Sequence, residues 1–176
     1  MTARVLVNRV WQQHFGEGFV ATPDDLGNMS SPPTHPELLD YLASRFVEDG
    51  WSIKNLHRLM VLSATYQQSS ANNAKYAEQD PRNLYHWRAN LRRLDFEQVH
   101  DSLLAIAGTL DRQLGGKSIP MGSDEFATRR AVYTYIDRRN PPELLTQFDF
   151  PNPDVPSGRR YETIVPAPAP FLMKDR

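Results

Sequence analysis

Apolar residues near the amino terminus recur with a helical period. Ala3, Leu6, Val7, Val10, Trp11 and His14 fall on one face, and Arg4, Asn8, Gln12 and Gln13 cover much of the rest. The pattern predicts a helix stopped by Gly16 and Gly18. It begins almost at the first residue with no preceding cap, so the chain reads as a piece of a longer protein. From Phe19 to Pro33 the period disappears. Thr22-Pro23-Asp24-Asp25, Gly27-Asn28 and Ser30-Ser31-Pro32-Pro33 are turn formers, and so long a connector either functions or packs over the core.

A second helix is predicted from Thr34, read as the N-cap of a capping box with Glu37, with Pro36 in the first turn. Its stripe is Leu38, Leu39, Leu42, Ala43, Phe46 and Val47, and Gly50 ends it. Ser52 caps a third helix carrying Ile53, Leu56, Leu59, Met60 and Ala64 on its inner face. Residues 67–83 are polar and read as a loop with room for one short helix. Asp95 and Gln98 open a fourth main helix whose stripe runs Phe96, Val99, Leu103, Ile106, Leu110 and Leu114 up to Gly115-Gly116. Ala131 to Ile136 is β-branched and aromatic and reads as a strand with no obvious partner. Pro141-Pro142-Glu143 opens a short helix through Phe148. Val165 to Pro170 alternates with proline and reads as an extended, disordered tail.

The expected fold is therefore mainly α. An irregular bundle of three to four helices spans residues 1–116. A Pro/Arg-rich region, 117–176, packs on it and contains at most one or two short strands.

Composition narrows the chemistry. The chain has no cysteine, which excludes disulfides, thiol catalysis, Cys-bound zinc, iron–sulfur clusters and a covalently attached c-type haem. We expect no cofactor in this chain. Lys plus Arg number 20 against 21 Asp plus Glu, so no global attraction to nucleic acid is expected. No apolar run is long enough to span a bilayer, and the amino terminus is not a signal peptide.

Several short motifs follow one another in a fixed order: Val7-Asn8-Arg9-Val10-Trp11, Phe15-Gly16, Thr22-Pro23-Asp24-Asp25, Pro33-Thr34-His35-Pro36-Glu37-Leu38-Leu39-Asp40, Gly50-Trp51-Ser52 and Leu56-His57-Arg58-Leu59. Tyr66-Gln67-Gln68-Ser69-Ser70, Asp80-Pro81-Arg82-Asn83, Arg92-Arg93-Leu94, Arg129-Arg130 and Phe148-Asp149 complete the series. In this the chain resembles the planctomycete family called domain of unknown function 1553, over nearly its whole length. The resemblance carries no assigned activity and no catalytic residues. It implies a module toward the carboxyl end of large exported proteins, often behind a cytochrome-c-like module, so the location would be extracytoplasmic and any haem would lie in another domain. The chain departs from the pattern at Ala167-Pro168-Ala169-Pro170, where a helical segment is expected, and at Lys174, where asparagine is expected.

Candidate chemistry is sparse. His35, Glu37 and Asp40, with Asp24 and Asp25 upstream, are ligand types for divalent ions, but their spacing fits a helix start better, so no metal site is assigned. His57 would need a hydrogen-bonded partner to act as an acid or base, and the sequence identifies none. His14, His86 and His100 are read in the same way. Trp11 and Trp51 fit core positions, whereas Trp87 could line a sugar-binding surface. Asp24, His35, His57 and Trp87 are thus the candidate cleft residues.

The paired arginines are more suggestive. Arg92-Arg93, Arg129-Arg130 and Arg138-Arg139 present forks that suit carboxylate or sulfate groups, for example of an acidic polysaccharide. Against that, Glu97, Asp101, Asp137, Glu143, Asp149 and Asp154 are interspersed and could pair with them and with Arg159-Arg160 inside the fold. The reading preferred from sequence is a non-catalytic structural or interaction module whose partners are other domains of its parent protein. The alternative is part of a polysaccharide-acting enzyme.

Overall fold

The computed structural model describes residues 1–27 and 29–160. The proline-alternating tail, Lys174 and Asn28 lie outside the described residues. The chain is mainly helical, and it divides into two compact units, Met1–Arg92 and a second beginning at Arg93.

The first unit holds α1 (Thr2–Phe15), α2 (Pro36–Glu48), α3 (Ile53–Val61) and the short α4 (Ala74–Gln79). Its core is Val7, Val10, Trp11 and Phe15 from α1, Phe19 from the connector, Leu39, Leu42, Ala43 and Phe46 from α2, and Leu56 and Met60 from α3. Each valine, leucine, phenylalanine or methionine withdrawn from water here contributes on the order of 1.5–3 kcal/mol. The stripes are narrower than the sequence suggests. Leu38, Val47, Ile53, Leu59 and Ala64, expected inside, are exposed.

Local chemistry sets the helix ends. The amide of Trp51 donates to Phe46 O (2.9 Å) and that of Gly50 to Val47 O (3.0 Å). With Gly50 at φ 68° and the Trp51 ring edge-on to Phe46, this is a Schellman end. Ser52 caps α3 as expected, accepting from the amide of Asn55 at 3.3 Å. The start of α2 differs from expectation. His35 is the N-cap residue, and no side chain caps the helix. The Thr34 hydroxyl lies 3.0 Å from His35 Nδ1. The Thr34 amide closes the connector by donating to Phe19 O at 2.9 Å, which places Thr34 one residue too early to be the cap.

Two polar residues of α1 are buried instead of covering a wet face: Asn8 at 0 % and Gln12 at 6 % exposure. The Asn8 carboxamide donates to Val20 O (3.2 Å) and accepts from the Val20 amide (3.0 Å), pairing with the connector as a neighbouring strand would. Gly18 makes this approach possible. A Cβ there would lie 2.8 Å from Asn8 Nδ2 and 2.9 Å from Val20 O.

The second unit holds α5 (Phe96–Ala107), β1 (Ile119–Pro120), a 3-10 turn (Ala131–Tyr133), β2 (Thr134–Tyr135) and α6 (Glu143–Gln147). Its core is Phe96, Leu145 and Phe148, with Met121, Phe126, Ile136, Leu144 and Phe150 packed around them. The helix from Asp95 was expected with the first three. It joins this second core because Phe96 packs with α6 residues. It starts with the expected capping box, Gln98 accepting from the Asp95 amide at 3.1 Å. It ends early, at Gly108 (φ 73°), where Thr109 donates to Leu104 O and Gly108 to Ala105 O, another Schellman end. Leu110 and Leu114 therefore lie beyond the helix, and of its stripe only Phe96 is buried.

The strand expected over 131–136 is mostly a 3-10 turn. Only Thr134–Tyr135 is extended, and its partner is Ile119–Pro120, in parallel register Ile119↔Thr134 and Pro120↔Tyr135.

Candidate functional site

Four histidines of the first unit surround one aromatic cluster. Trp11 stacks on Phe15 (ring centroids 3.9 Å) and on Phe19 (4.2 Å), one turn of α1 and the start of the connector bringing them together. The Trp11 Nε1 is buried without an acceptor among the described residues. His86 meets Trp11 edge-on at 5.5 Å and lies tilted against His35 at 5.9 Å. On the other side of Phe15, His14 Nε2 lies 2.6 Å from His57 Nδ1, with Tyr66 edge-on to His14. A contact this short needs one ring to donate and the other to accept, so at least one of the two is neutral. Burial, then His57, then Arg92 lower the pKa of His14. Among the described residues neither ring is hydrogen-bonded to a carboxylate, so the pair lacks the orienting group of an acid–base triad.

His86 sits in a loop, residues 80–90, that is bonded mainly to itself. The Asp80 carboxylate accepts from the amides of Leu84 and Tyr85, both at 2.9 Å. The Asn83 carboxamide donates to Arg88 O (2.8 Å) and Asn90 Oδ1 (3.0 Å) and accepts from the Arg88 amide (3.3 Å). Trp87 donates its indole N–H to Asp80 O at 3.1 Å. Gln68 Nε2 donates to His86 O and Asn90 Nδ2 to Phe15 O, fastening the loop to the rest of the unit. Asn83 (φ 53°) and His86 (φ 52°) are both left-handed. Asparagine tolerates that conformation, but for histidine it costs about 1–2 kcal/mol, which the surrounding bonds must sustain.

The loop forms one wall of an open cavity of about 170 Å³ whose other wall is the connector. Glu17, Phe19, Thr34, Arg82, His86 and Asn90 are among its lining. Within that lining Arg82 Nη2 donates to Glu17 Oε1 at 3.2 Å. The pKa of His86 is lowered by burial and by His35, against the opposing pull of Asp80 and Glu17.

The residues singled out from sequence fall elsewhere. Asp24 is exposed and pairs with Arg9 at 3.3 Å. Trp87 holds the 80–90 loop and lies beside Tyr76 and Arg88. His57 faces His14, and His35 packs on Phe19, Tyr85 and His86. None of these four lines the cavity. Glu17, Arg82 and His86, which do, carry no local spacing signal. Only the Asp80-Pro81-Arg82-Asn83 motif marked the loop.

The arginines are mostly engaged. Arg92 donates to Gln13 O and lies along Gly16. Arg93 is 3.8 Å from Asp149 and lies over Phe148. Arg129, buried, donates to Asp111 (3.3 Å), Gln113 (3.2 Å) and Gly115 O (2.7 Å) while its guanidinium covers Tyr133. Arg130 Nε donates to Asp101 Oδ2 at 3.2 Å, whose Oδ1 also accepts from the Ala131 amide. Arg160 forks onto Glu97 at 2.6 and 2.7 Å. Burial alone would raise the Glu97 pKa, but hydrogen bonds from Arg160 outweigh it and hold the carboxyl below its usual range. The Arg138 and Arg139 side chains are exposed and form no ion pair among the described residues, while the Arg139 amide donates to Asp137 Oδ1 at 2.9 Å.

Among the described residues no group of three or more His, Asp or Glu side chains is placed to hold a metal ion, and no helix is long and apolar enough to cross a membrane. No curated protein and no solved structure matches the chain. A family model described as "PSD1: Protein of unknown function (DUF1553)" matches residues 1–176, the series of motifs from Val7-Asn8-Arg9 to Phe148-Asp149 included, and the chain belongs to that family.

Proposed function

We propose that the chain is a non-catalytic interaction module of a larger exported protein, with α5 presenting its outer apolar face to a neighbouring domain of that protein. What supports this is the exposure of Ile106 (85 %) and Leu103 (51 %) on a helix whose two ends are firmly capped. A well-formed helix that turns isoleucine and leucine outward gains by covering them. The charged groups that could instead do chemistry, Arg129, Arg130, Arg160, Asp101 and Glu97, fasten the second unit to itself. A module of this kind needs no cofactor of its own, and its location follows its parent outside the cytoplasm. Ile106→Asp tests the reading. The isolated chain should keep its thermal midpoint, while association with the remainder of the parent protein weakens at least about tenfold, the effect of desolvating one charge in an apolar contact. Unchanged association would refute it.

A second reading, binding of acidic polysaccharide, rests on Arg138 and Arg139, an adjacent pair whose exposed guanidinium groups form no ion pair among the described residues. Arg138→Ala/Arg139→Ala should then abolish retention on a sulfated-glycan column, and wild-type retention would count against it.

A further inference from the structure

We propose that the cavity between the connector and the 80–90 loop of the first unit binds one neutral sugar ring. The site is separate from α5, and the inference stands whether or not that helix docks. Size is the first argument. A cavity of roughly 150 Å³ takes up benzene, so about 170 Å³ admits a single six-membered ring and little more. Chemistry is the second. Glu17 and Arg82 lie in the cavity lining as a direct ion pair, 3.2 Å apart, an acceptor and a donor that together carry no net charge. Vicinal hydroxyls can donate to the carboxylate and accept from the guanidinium without replacing a lost counter-charge. Phe19, Pro32 and Leu84 supply apolar wall for the C–H face of such a ring, and the Thr34 hydroxyl and His86 imidazole add polar contacts.

Preorganisation is the third argument. The 80–90 loop keeps a histidine left-handed at a cost, and its bonds to Asp80, Asn83 and Gln68 fix that geometry where the cavity needs it. Hydrolysis is not implied. Cleavage of a glycosidic bond takes a pair of carboxylates flanking it, and Glu17 is the carboxylate among the lining residues.

Amide-resolved NMR titration of the full chain tests this, with the methyl pyranosides of glucose, galactose, mannose and xylose as probes. Cyclohexanol serves as a ring without a diol, and glucuronate as an anionic ring. We expect at least one neutral pyranoside to move the signals of Gly18, Asn83 and His86, saturating in the millimolar range, and cyclohexanol to leave them still. Glu17→Gln, at an exposed ion pair that the fold tolerates losing, should weaken that binding about tenfold, and Arg82→Gln should do the same. No response to any neutral pyranoside at tens of millimolar, a response to glucuronate alone, an equal response to cyclohexanol, or unchanged affinity in both variants would each overturn the assignment.

Discussion

The Nε2 of His14, at the end of α1, lies 2.6 Å from the Nδ1 of His57 on α3, so the two helices meet through a histidine pair that cannot be doubly protonated without repulsion. Burial and His57 both lower the pKa of His14, and burial and His35 lower that of His86. The unfolded chain therefore takes up protons near pH 6.5 that the folded chain refuses until lower pH. The stability these rings contribute is fully present above 6.5 and is lost as the pH falls below it. Calorimetry should show the thermal midpoint falling between about pH 7.5 and about pH 5.5, and His14→Gln should flatten part of that slope. A midpoint independent of pH over that range would contradict it.

A second acid step belongs to Glu97. Its carboxyl is held below 4.5 despite burial, because Arg160 forks onto it. That contribution is present above 4.5 and disappears as the pH falls further. Glu97→Gln should lower stability at neutral pH and remove the part of the acid transition lying below about pH 4.5, leaving the histidine step in place.

Asn8→Ala should be among the most damaging single changes in the first unit. It strands the N–H and C=O of Val20, a residue only 4 % exposed, and opens a gap where the carboxamide stood. Urea denaturation should report a loss of about 2–4 kcal/mol. Gly18→Ala should cost about 1–3 kcal/mol at the same contact, since its Cβ would meet the carboxamide at 2.8 Å. Near-neutral values would mean that the connector does not lie on α1 in this way.

Arg129→Ala should cost about 1–3 kcal/mol, because it removes a buried guanidinium with its hydrogen bonds and its packing over Tyr133, while the Asp111 carboxylate and Gly115 carbonyl it leaves remain open to water. Arg139→Ala, at an exposed position, should change stability by less than about 0.5 kcal/mol. Equal effects would deny the distinction between structural and surface arginines.

The first core is drawn entirely from residues up to Met60, and the second from Phe96 onward. A chain ending at Arg92 should therefore fold alone, with helical circular dichroism and a single cooperative urea transition. A non-cooperative transition would show that the first unit depends on the second.

Sequence pattern located the elements better than it located their surroundings. Ser52, the Asp95/Gln98 box, Gly50 and Pro141-Pro142-Glu143 are local signals, and each marks an end or a start close to where the chain makes one. Gly108 carries no stop signal in the pattern because the apolar period continues through Leu110 and Leu114, yet a left-handed glycine followed by Thr109 suffices to end the helix. Asn8 looked like a wet-face residue because its partner, Val20, lies twelve residues away. The partner of Thr134–Tyr135 is a parallel two-residue segment containing a proline, which no alternation reveals. The candidate site was the least legible part. His14, His57, His35 and His86 converge through tertiary packing alone, and Glu17 meets Arg82 across 65 residues.

On the proposed docking, the outer face of α5 is covered in the larger protein. Since the chain has no cysteine, Ile106→Cys places a single thiol on that face. Its rate of alkylation by a maleimide, followed by peptide mapping, can be compared between this chain and the whole parent protein. Docking should leave labelling fast in the isolated chain and slow it by at least about tenfold in the larger protein. Equal rates in the two would contradict it.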